Sequence, residues 1–329
     1  MALESELKGW LDAEAPYSWV CAVIGTPHSG TMETITRLAS ARSWRVIDPP
    51  AFEDILSGGR EWLEGIMDEG DSPIVIAQLE RCYLRHYNGL SLIRRLLDLL
   101  LSANRRFLLG CNSWAWAYLN KALDLAPLIP YTLTLRPLDK EHLECWFSSL
   151  ADERFVFRLA DGGDKLVLPV SFNDSETGAQ PTGSAGDFLD NLTAYSRGIP
   201  GVAWAVWRHS LREARRDEAE KRGADPTGPR QAILVAPWTE MHLPAVPDRM
   251  DRSQLFVLQT ILLHDSLPPR LIRQLLSLSS TDVLETLHHL RSAGLLDADR
   301  LRAMWRVTPE GYPVVRQLLK REGYLVGAI

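Results

Sequence analysis

The sequence predicts an α/β protein built on a doubly wound parallel sheet. Over residues 18–138, five short apolar runs alternate with segments of helical periodicity. The first run ends in a glycine-framed turn, Gly25-x-x-x-x-Gly30, that opens a helix, as a strand-loop-helix unit requires. Residues 251–329 read separately, as helix, helix, helix, hairpin, helix, which is winged-helix order.

The elements follow in order. "SWVCAVIG" (18–25) is an apolar run ending at glycine, a strand buried on both faces. "METITRLASAR" carries Ile35, Leu38 and Ala39 at helical spacing. "WRVIDPP" (44–50) is the second strand, stopped by Pro49 and Pro50, and the β-branched run "SPIVIAQLE" (72–80) is the third. "NGLSLIRRLLDLLLSANR" (88–105) is an amphipathic helix with Asn88 or Ser91 as its cap. "RFLLGCN" (106–112) is the fourth strand, "SWAWAYLNKALDL" a helix and "YTLTLRPL" (131–138) the fifth strand. "KEHLECWFSSL" (140–150) is helical. "FVFRLADGGDKLVLPV" (155–170) predicts two strands around an Asp-Gly-Gly-Asp turn, a hairpin. The Gly/Ser-rich stretch 171–187 predicts a flexible loop, and Pro200 marks a helix start. The domain plan is an α/β core over 1–138, a lid over 139–223 carrying the hairpin and loop, a linker over 224–250 and a winged helix over 251–329.

Composition narrows the class. The chain is 46% hydrophobic and 24% charged, which excludes wholesale disorder. A net charge of −6 argues against a basic nucleic-acid coat. Residues 251–329 carry 10 basic and 8 acidic side chains, too small an excess to predict DNA binding by charge. The acidic start, "MALESELKGWLDAEAPYS", has no apolar core of a signal peptide, and no run is long and uncharged enough to span a membrane. A cytoplasmic protein without membrane insertion is the expectation. Cys21, Cys82, Cys111 and Cys145 form no CxxC pair and read as free, mostly buried thiols. No metal site is expected.

The Gly25–Gly30 frame matches a phosphate-binding loop, but the next two positions, where Lys and Ser or Thr belong, are Thr31 and Met32. With "PIVIAQLE" in the Walker B place, Asn112 ending the next strand as a sensor residue would, "LTLRPLDKEHLECWF" at the strand-to-lid junction and "SRGIPGVAWAVW" in place of a lid "GNPG", the chain resembles the AAA+/STAND-type P-loop ATPases, closest in layout to the origin-recognition members. The resemblance implies a five-stranded parallel P-loop NTPase-like sheet with helices on both faces, a helical lid and a C-terminal winged helix. It implies a nucleotide loop made of Gly25, Thr26, His28, Ser29, Gly30, Thr31 and Met32, with Gln78, Glu80 and Asn112 in the Walker B and sensor places.

The departures are chemical. Thr31 removes the cation that reaches the β/γ oxygens, and the Met32 thioether cannot ligate a hard metal ion. The Walker B run offers Gln78 and Leu79 before its one acid, Glu80. The arginine that follows the lid glycine in origin-recognition relatives is Gly201 here, with Arg197 and Arg208 out of place. Phosphoryl transfer rests on positioning and charge neutralisation, so hydrolysis is not expected and no catalytic residue is assigned. An empty structural turn competes with retained binding of ATP or another nucleotide, without Mg-dependent hydrolysis. His28 would replace part of the lost charge or else lie exposed in the loop, and Glu80, Arg81, Arg85 and His86 read as a solvated helix face. Trp114, Trp116, Trp204 and Trp207 read as packing residues between sheet and lid.

These readings converge on a pseudo-ATPase acting as a regulatory or scaffold protein through protein–protein contacts. The alternatives are a nucleotide-responsive protein that contacts DNA through its winged helix, and an inactive subunit of a hetero-oligomeric ATPase. Arg291, Arg300, Arg302 and Arg306 would make the winged-helix contact, although Asp282 and Glu285 open the reading helix with charge that repels phosphate.

Overall fold

In the computed structural model, which describes residues 2–13, 18–67, 72–152, 155–160, 166–168, 184–213, 231–299 and 303–325, two compact units separate. One comprises Met1–Arg136 with Ala245–Ile329, the other Pro137–Pro244. The first begins with α1 (Ala2–Asp12), β1 (Val20–Gly25), α2 (Thr31–Ala41), β2 (Arg45–Val46), α3 (Phe52–Ser57), α4 (Arg60–Ile66) and β3 (Ile74–Ile76). A 3-10 turn at Leu79–Arg81 follows, then α5 (Ser91–Ser102), β4 (Phe107–Asn112), α6 (Ser113–Leu123), α7 (Leu125–Leu128) and β5 (Tyr131–Thr134). The five strands form one parallel sheet in the order β2-β3-β4-β1-β5, the α/β architecture that the sequence predicts.

Every residue of β1 and β4 is buried, which is why both read as unbroken apolar runs. On one face, Cys21, Val23, Val75 and Leu108 pack with Ile35 and Ala39 of α2 and with Leu7 and Trp10 of α1. The second and third strands are shorter than predicted. β2 keeps only two residues of 44–50, and β3 ends at Ile76 because the chain winds into the 3-10 turn. Neither candidate cap serves α5: its N-cap is Leu90, and the Ser91 hydroxyl instead donates to the Asn88 carbonyl at 2.8 Å.

The second unit contains α8 (Lys140–Leu150), β6 (Phe155–Leu159), α9 (Ser184–Ser196), α10 (Pro200–Ser210), β7 (Leu211–Glu213) and β8 (Gln231–Val235). Its sheet runs β6-β8-β7, with β6 parallel and β7 antiparallel to β8. β6 thus has a sheet partner, β8, beyond the predicted hairpin. Among the described residues the expected return strand meets β6 antiparallel at the Arg158–Leu166 bridge, with a Val167 N–H bond to the Phe157 carbonyl. The sheet corrects the linker, since the apolar "AILV" within 224–250 buries Leu234 and Val235 as a central strand. The Asp161–Asp164 turn, most of the loop 171–187 and residues 214–230 lie outside the described residues; Ser184 onward already belongs to α9. Phe147 and Trp207 stack at 5.2 Å in this unit's core, whereas Trp204 stays partly exposed. Gly198 has φ +70, and a Cβ there would stand 2.1 Å from the Leu138 carbonyl oxygen, so only glycine fits the turn before Pro200.

The chain then returns to the first unit with α11 (Arg252–Leu263), α12 (Pro269–Leu276), α13 (Ser280–Ser292), the antiparallel pair β9 (Leu296–Asp299) and β10 (Met304–Val307), and α14 (Tyr312–Arg321). Asp251 and Gln254 form a capping box at the start of α11, and Ser279 caps α13. From Val257 to Leu263 every residue of α11 is buried, which makes it an internal helix.

Candidate functional site

The order of strands locates the crevice where a ligand would be expected. β1 connects past β4 and β3 to β2 at one edge, whereas β4 connects past β1 to β5 at the other. Right-handed crossovers send those two connections to opposite faces, and open α/β sheets bind ligands at such a divide, beyond the carboxyl ends of the strands. Here the two ends are Gly25 and Asn112, which are register partners. The predicted loop, the Glu80 turn and Asn112 therefore do converge on one place.

The loop is filled by its own side chains. The Ser29 N–H donates to the Thr26 carbonyl at 3.0 Å, closing a tight turn that holds His28 left-handed (φ 66), and Gly30, the residue after it, is left-handed too (φ 77). A Cβ on Gly25 would stand 1.9 Å from the Thr31 Oγ1 and 2.3 Å from the Ser29 Oγ. Those two hydroxyls are themselves 2.8 Å apart, hydrogen-bonded across the loop. Gly25 thus leaves room for two hydroxyls that fold inward. Thr26 is buried, and Met32 is 37% exposed on the outside.

His28 is neither exposed nor a substitute cation, which corrects both expectations for it. Its ring meets Tyr312 edge-on at 5.7 Å, and the Tyr312 hydroxyl accepts a hydrogen bond from the Trp114 indole at 3.0 Å. The His28 Nε2 is enclosed and has no hydrogen-bond partner among the described residues. Burial, with the Arg306 charge adding to it, pushes its pKa down to about 4, so the imidazole is neutral at pH 7.

Glu80 also departs from expectation. The 3-10 turn aims it inward, where it is 6% exposed and accepts the Asn112 backbone N–H at 3.1 Å. Burial, reinforced by Asp265, pushes its pKa up to about 8, so at neutral pH it carries a proton. A protonated carboxyl is a poor ligand for a hard cation. The solvated face forms only in part: Arg85 is exposed while bonding to Gln259, Arg81 lies over the Phe52 ring, and His86 packs on Tyr87. Gln78 is half-buried, and its carbonyl accepts the Arg81 N–H at 3.1 Å.

Asn112 is committed within the chain. Its Oδ1 accepts the Ala115 N–H at 2.8 Å, capping α6, and its Nδ2 donates to the Leu262 carbonyl at 3.3 Å. Residues absent from any motif complete the cover over the strand ends. The Tyr83 hydroxyl donates to the Leu263 carbonyl at 3.0 Å, and the Tyr83 ring lies 4.8 Å from that of His264. The His264 Nε2 accepts the Arg85 N–H at 3.3 Å, and burial pushes its pKa down to about 4. The end of α11, β10 and the start of α14 therefore lie directly on the crevice.

Two of the four arginines read as a nucleic-acid contact fall among the described residues. Arg306 is exposed on β10, Arg291 lies 3.9 Å from Asp297, and Arg300 and Arg302 lie outside the described residues. Asp282 and Glu285 are exposed at the start of α13. Cys21, Cys82 and Cys111 are buried, which raises all three thiols (Cys21 to about 12), whereas Cys145 is exposed. Among the described residues no cluster of His, Cys, Asp or Glu suits a metal ion, and no helix is long and apolar enough to cross a membrane. A Mg-nucleotide does not fit the residues present: the loop's interior holds two hydroxyls, residues 25–32 include no lysine or arginine, and the Walker B-place acid, Glu80, is neutral.

No family model matches the chain, and no curated protein matches it in sequence. Solved structures of similar layout include the ORC2 protein of Aeropyrum pernix, at 15% identity over 98% of this chain and 93% of that one, with a TM-score of 0.38. A RuvB variant of Thermotoga maritima is similar at 15% identity over 99% and 95%, with a TM-score of 0.41. A signal transduction ATPase with numerous domains from Pyrococcus horikoshii is similar at 12% identity over 96% of this chain but 42% of its own, with a TM-score of 0.33. At such scores the chemistry of the site is decided by this chain's own side chains.

Proposed function

We propose that this protein is a non-hydrolysing relative of the AAA+/STAND ATPases that works as a regulatory or scaffold protein through protein–protein contacts, its residues 251–329 forming a winged helix that docks protein. One observation carries the reading: the groups at the strand ends that would receive a nucleotide are engaged with one another and with residues 262–312. The Ser29 and Thr31 hydroxyls bond together inside the loop, Asn112 bonds Glu80, Ala115 and Leu262, and His28 packs on Tyr312. Phosphoryl transfer needs cations where the charge develops, and neither a neutral Glu80 nor a neutral His28 supplies one.

Calorimetric and thermal-shift titration with Mg-ATP tests this, alongside a phosphate-release assay with Gly30→Glu as the control. The expected result is no turnover above that control and no nucleotide-dependent rise in Tm. Ligand at about 100 times its Kd adds about 2.7 kcal/mol of stability, so a shift of several degrees would replace a scaffold by a nucleotide switch. Anisotropy with duplex DNA at low salt provides the second arm. The acidic start of α13 predicts no binding, and salt-dependent binding would favour the DNA-contacting alternative.

A further inference from the structure

A cavity of about 260 Å³ lies between α11, the end of α12 and the loop that precedes α5. Phe256, Leu275, Leu276 and Leu278 give it apolar walls, and Arg85, Ser253 and Thr260 give it polar points. The guanidinium is held in place: its Nη1 donates to the Oε1 of buried Gln259 at 2.9 Å, and the Arg85 backbone N–H is fixed to His264. Gln259 is neutral, so it positions the charge without cancelling it. None of the ion pairs among the described residues involves Arg85. Thr260 is 1% exposed, yet its hydroxyl has no hydrogen-bond partner among the described residues.

We propose that this cavity binds a small monocarboxylate with an apolar body. The carboxylate pairs with the Arg85 guanidinium, whose planar fork matches two carboxylate oxygens, and the body lies against Phe256, Leu275, Leu276 and Leu278. A single cation suits one negative charge better than a dianionic phosphate. Orientation follows from the helices: Ser253 stands in the first turn of α11, whose N–H end favours an anion, whereas Leu275 and Leu276 end α12, whose carbonyl end disfavours one. The volume falls just short of the range of about 300–1,000 Å³ typical of sites for drug-sized ligands, which limits the body to an aryl group or a short chain.

Calorimetry on the full chain at neutral pH tests the proposal with 4-phenylbutyrate, 4-phenylbutanol and 4-phenylbutylamine. The carboxylate should bind, the alcohol at least about tenfold more weakly, and the amine not at all. Arg85→Gln should lose about tenfold or more, Arg85→Lys should fall between, and Leu276→Trp, which fills the cavity, should abolish binding. Circular dichroism and Tm establish that each variant is folded, and should Arg85→Gln not fold, the three-probe series and Leu276→Trp decide. No binding at about 10 mM, equal affinity for all three probes, or undiminished affinity in folded Arg85→Gln or Leu276→Trp would overturn it.

Discussion

Gly25 carries a role that its motif frame does not announce. In a loop built for phosphate, the glycine would clear space for a ligand; here the space holds the Thr31 and Ser29 hydroxyls, 1.9 and 2.3 Å from where a Cβ would stand. Gly25→Ala should therefore destabilise the fold by about 1–3 kcal/mol through overpacking. The loss should shrink by more than half in a Ser29→Ala/Thr31→Ala background, a coupling that urea denaturation of the cycle measures. Additive losses would show that the clash lies elsewhere. Gly30 offers the contrast: its φ of +77 makes Gly30→Ala costly by about 1 kcal/mol in either background, because strain there depends on the backbone alone. Thr260 tests the opposite sign. Its buried hydroxyl lacks a partner among the described residues, so Thr260→Val, which keeps the shape, should stabilise by about 1 kcal/mol, read as a higher urea midpoint at unchanged slope.

Legibility differed from element to element for physical reasons. β1 and β4 were readable because both faces of each are buried, which leaves a continuous apolar run ending at a polar residue or glycine. The pairing of β6 with β8 was not, because spacing along the chain reports nearby turns and not which distant strand completes a sheet. α3 and α4 are six and seven residues long, too short to show a helical period. α1 did show one, with Leu3, Leu7, Trp10 and Leu11 on one side, yet its acidic surroundings read only as evidence against a signal peptide. At the site, the loop frame, Glu80 and Asn112 were legible as neighbours. Tyr83, His264 and Tyr312 were not, since they act through α11 and α14, which return from far along the chain. Glu80 was misread because a charged residue followed by Arg81 looks solvated, whereas a 3-10 turn rather than an α-helix directs its side chain inward. α1 also carries a prediction. Trp10 is 3% exposed, its indole donates to the Ser18 carbonyl at 2.8 Å, and it packs on the sheet with Leu7. Trp10→Ala should lower stability by about 3–5 kcal/mol, seen as an earlier unfolding transition in urea. A loss below about 1 kcal/mol would mean that α1 is an accessory to the core.

Across the unit that joins the sheet to the C-terminal helices, burial of a few titratable groups should set the pH dependence of stability. His28 and His264, both lowered to about 4, are neutral in the folded state down to that pH, whereas in the unfolded chain they charge below about 6.5. Between about pH 4 and 6.5 the unfolded state binds the extra protons, so stability rises with pH. Glu80 works the other way: raised to about 8, it keeps in the folded state a proton that the unfolded chain loses above about 4.5. From about pH 4.5 to 8 it makes stability fall as pH rises. Two imidazoles outweigh one carboxyl where the windows overlap, although Asp265, also raised, trims the gain at the acid end. Above about 6.5 Glu80 acts alone, so stability should peak near pH 6.5. From there to pH 8 the loss approaches about 2 kcal/mol, at 1.36 kcal/mol per pH unit. Calorimetric unfolding from pH 5 to 9 measures the profile. Glu80→Gln, which can still accept the Asn112 N–H, should flatten the fall between pH 6.5 and 8 and steepen the rise below it, where Glu80 no longer opposes the two imidazoles. A wild-type profile flat across that interval, or a Gln variant that falls just as steeply, would place Glu80's proton in water and remove the neutral carboxyl from the account of the site.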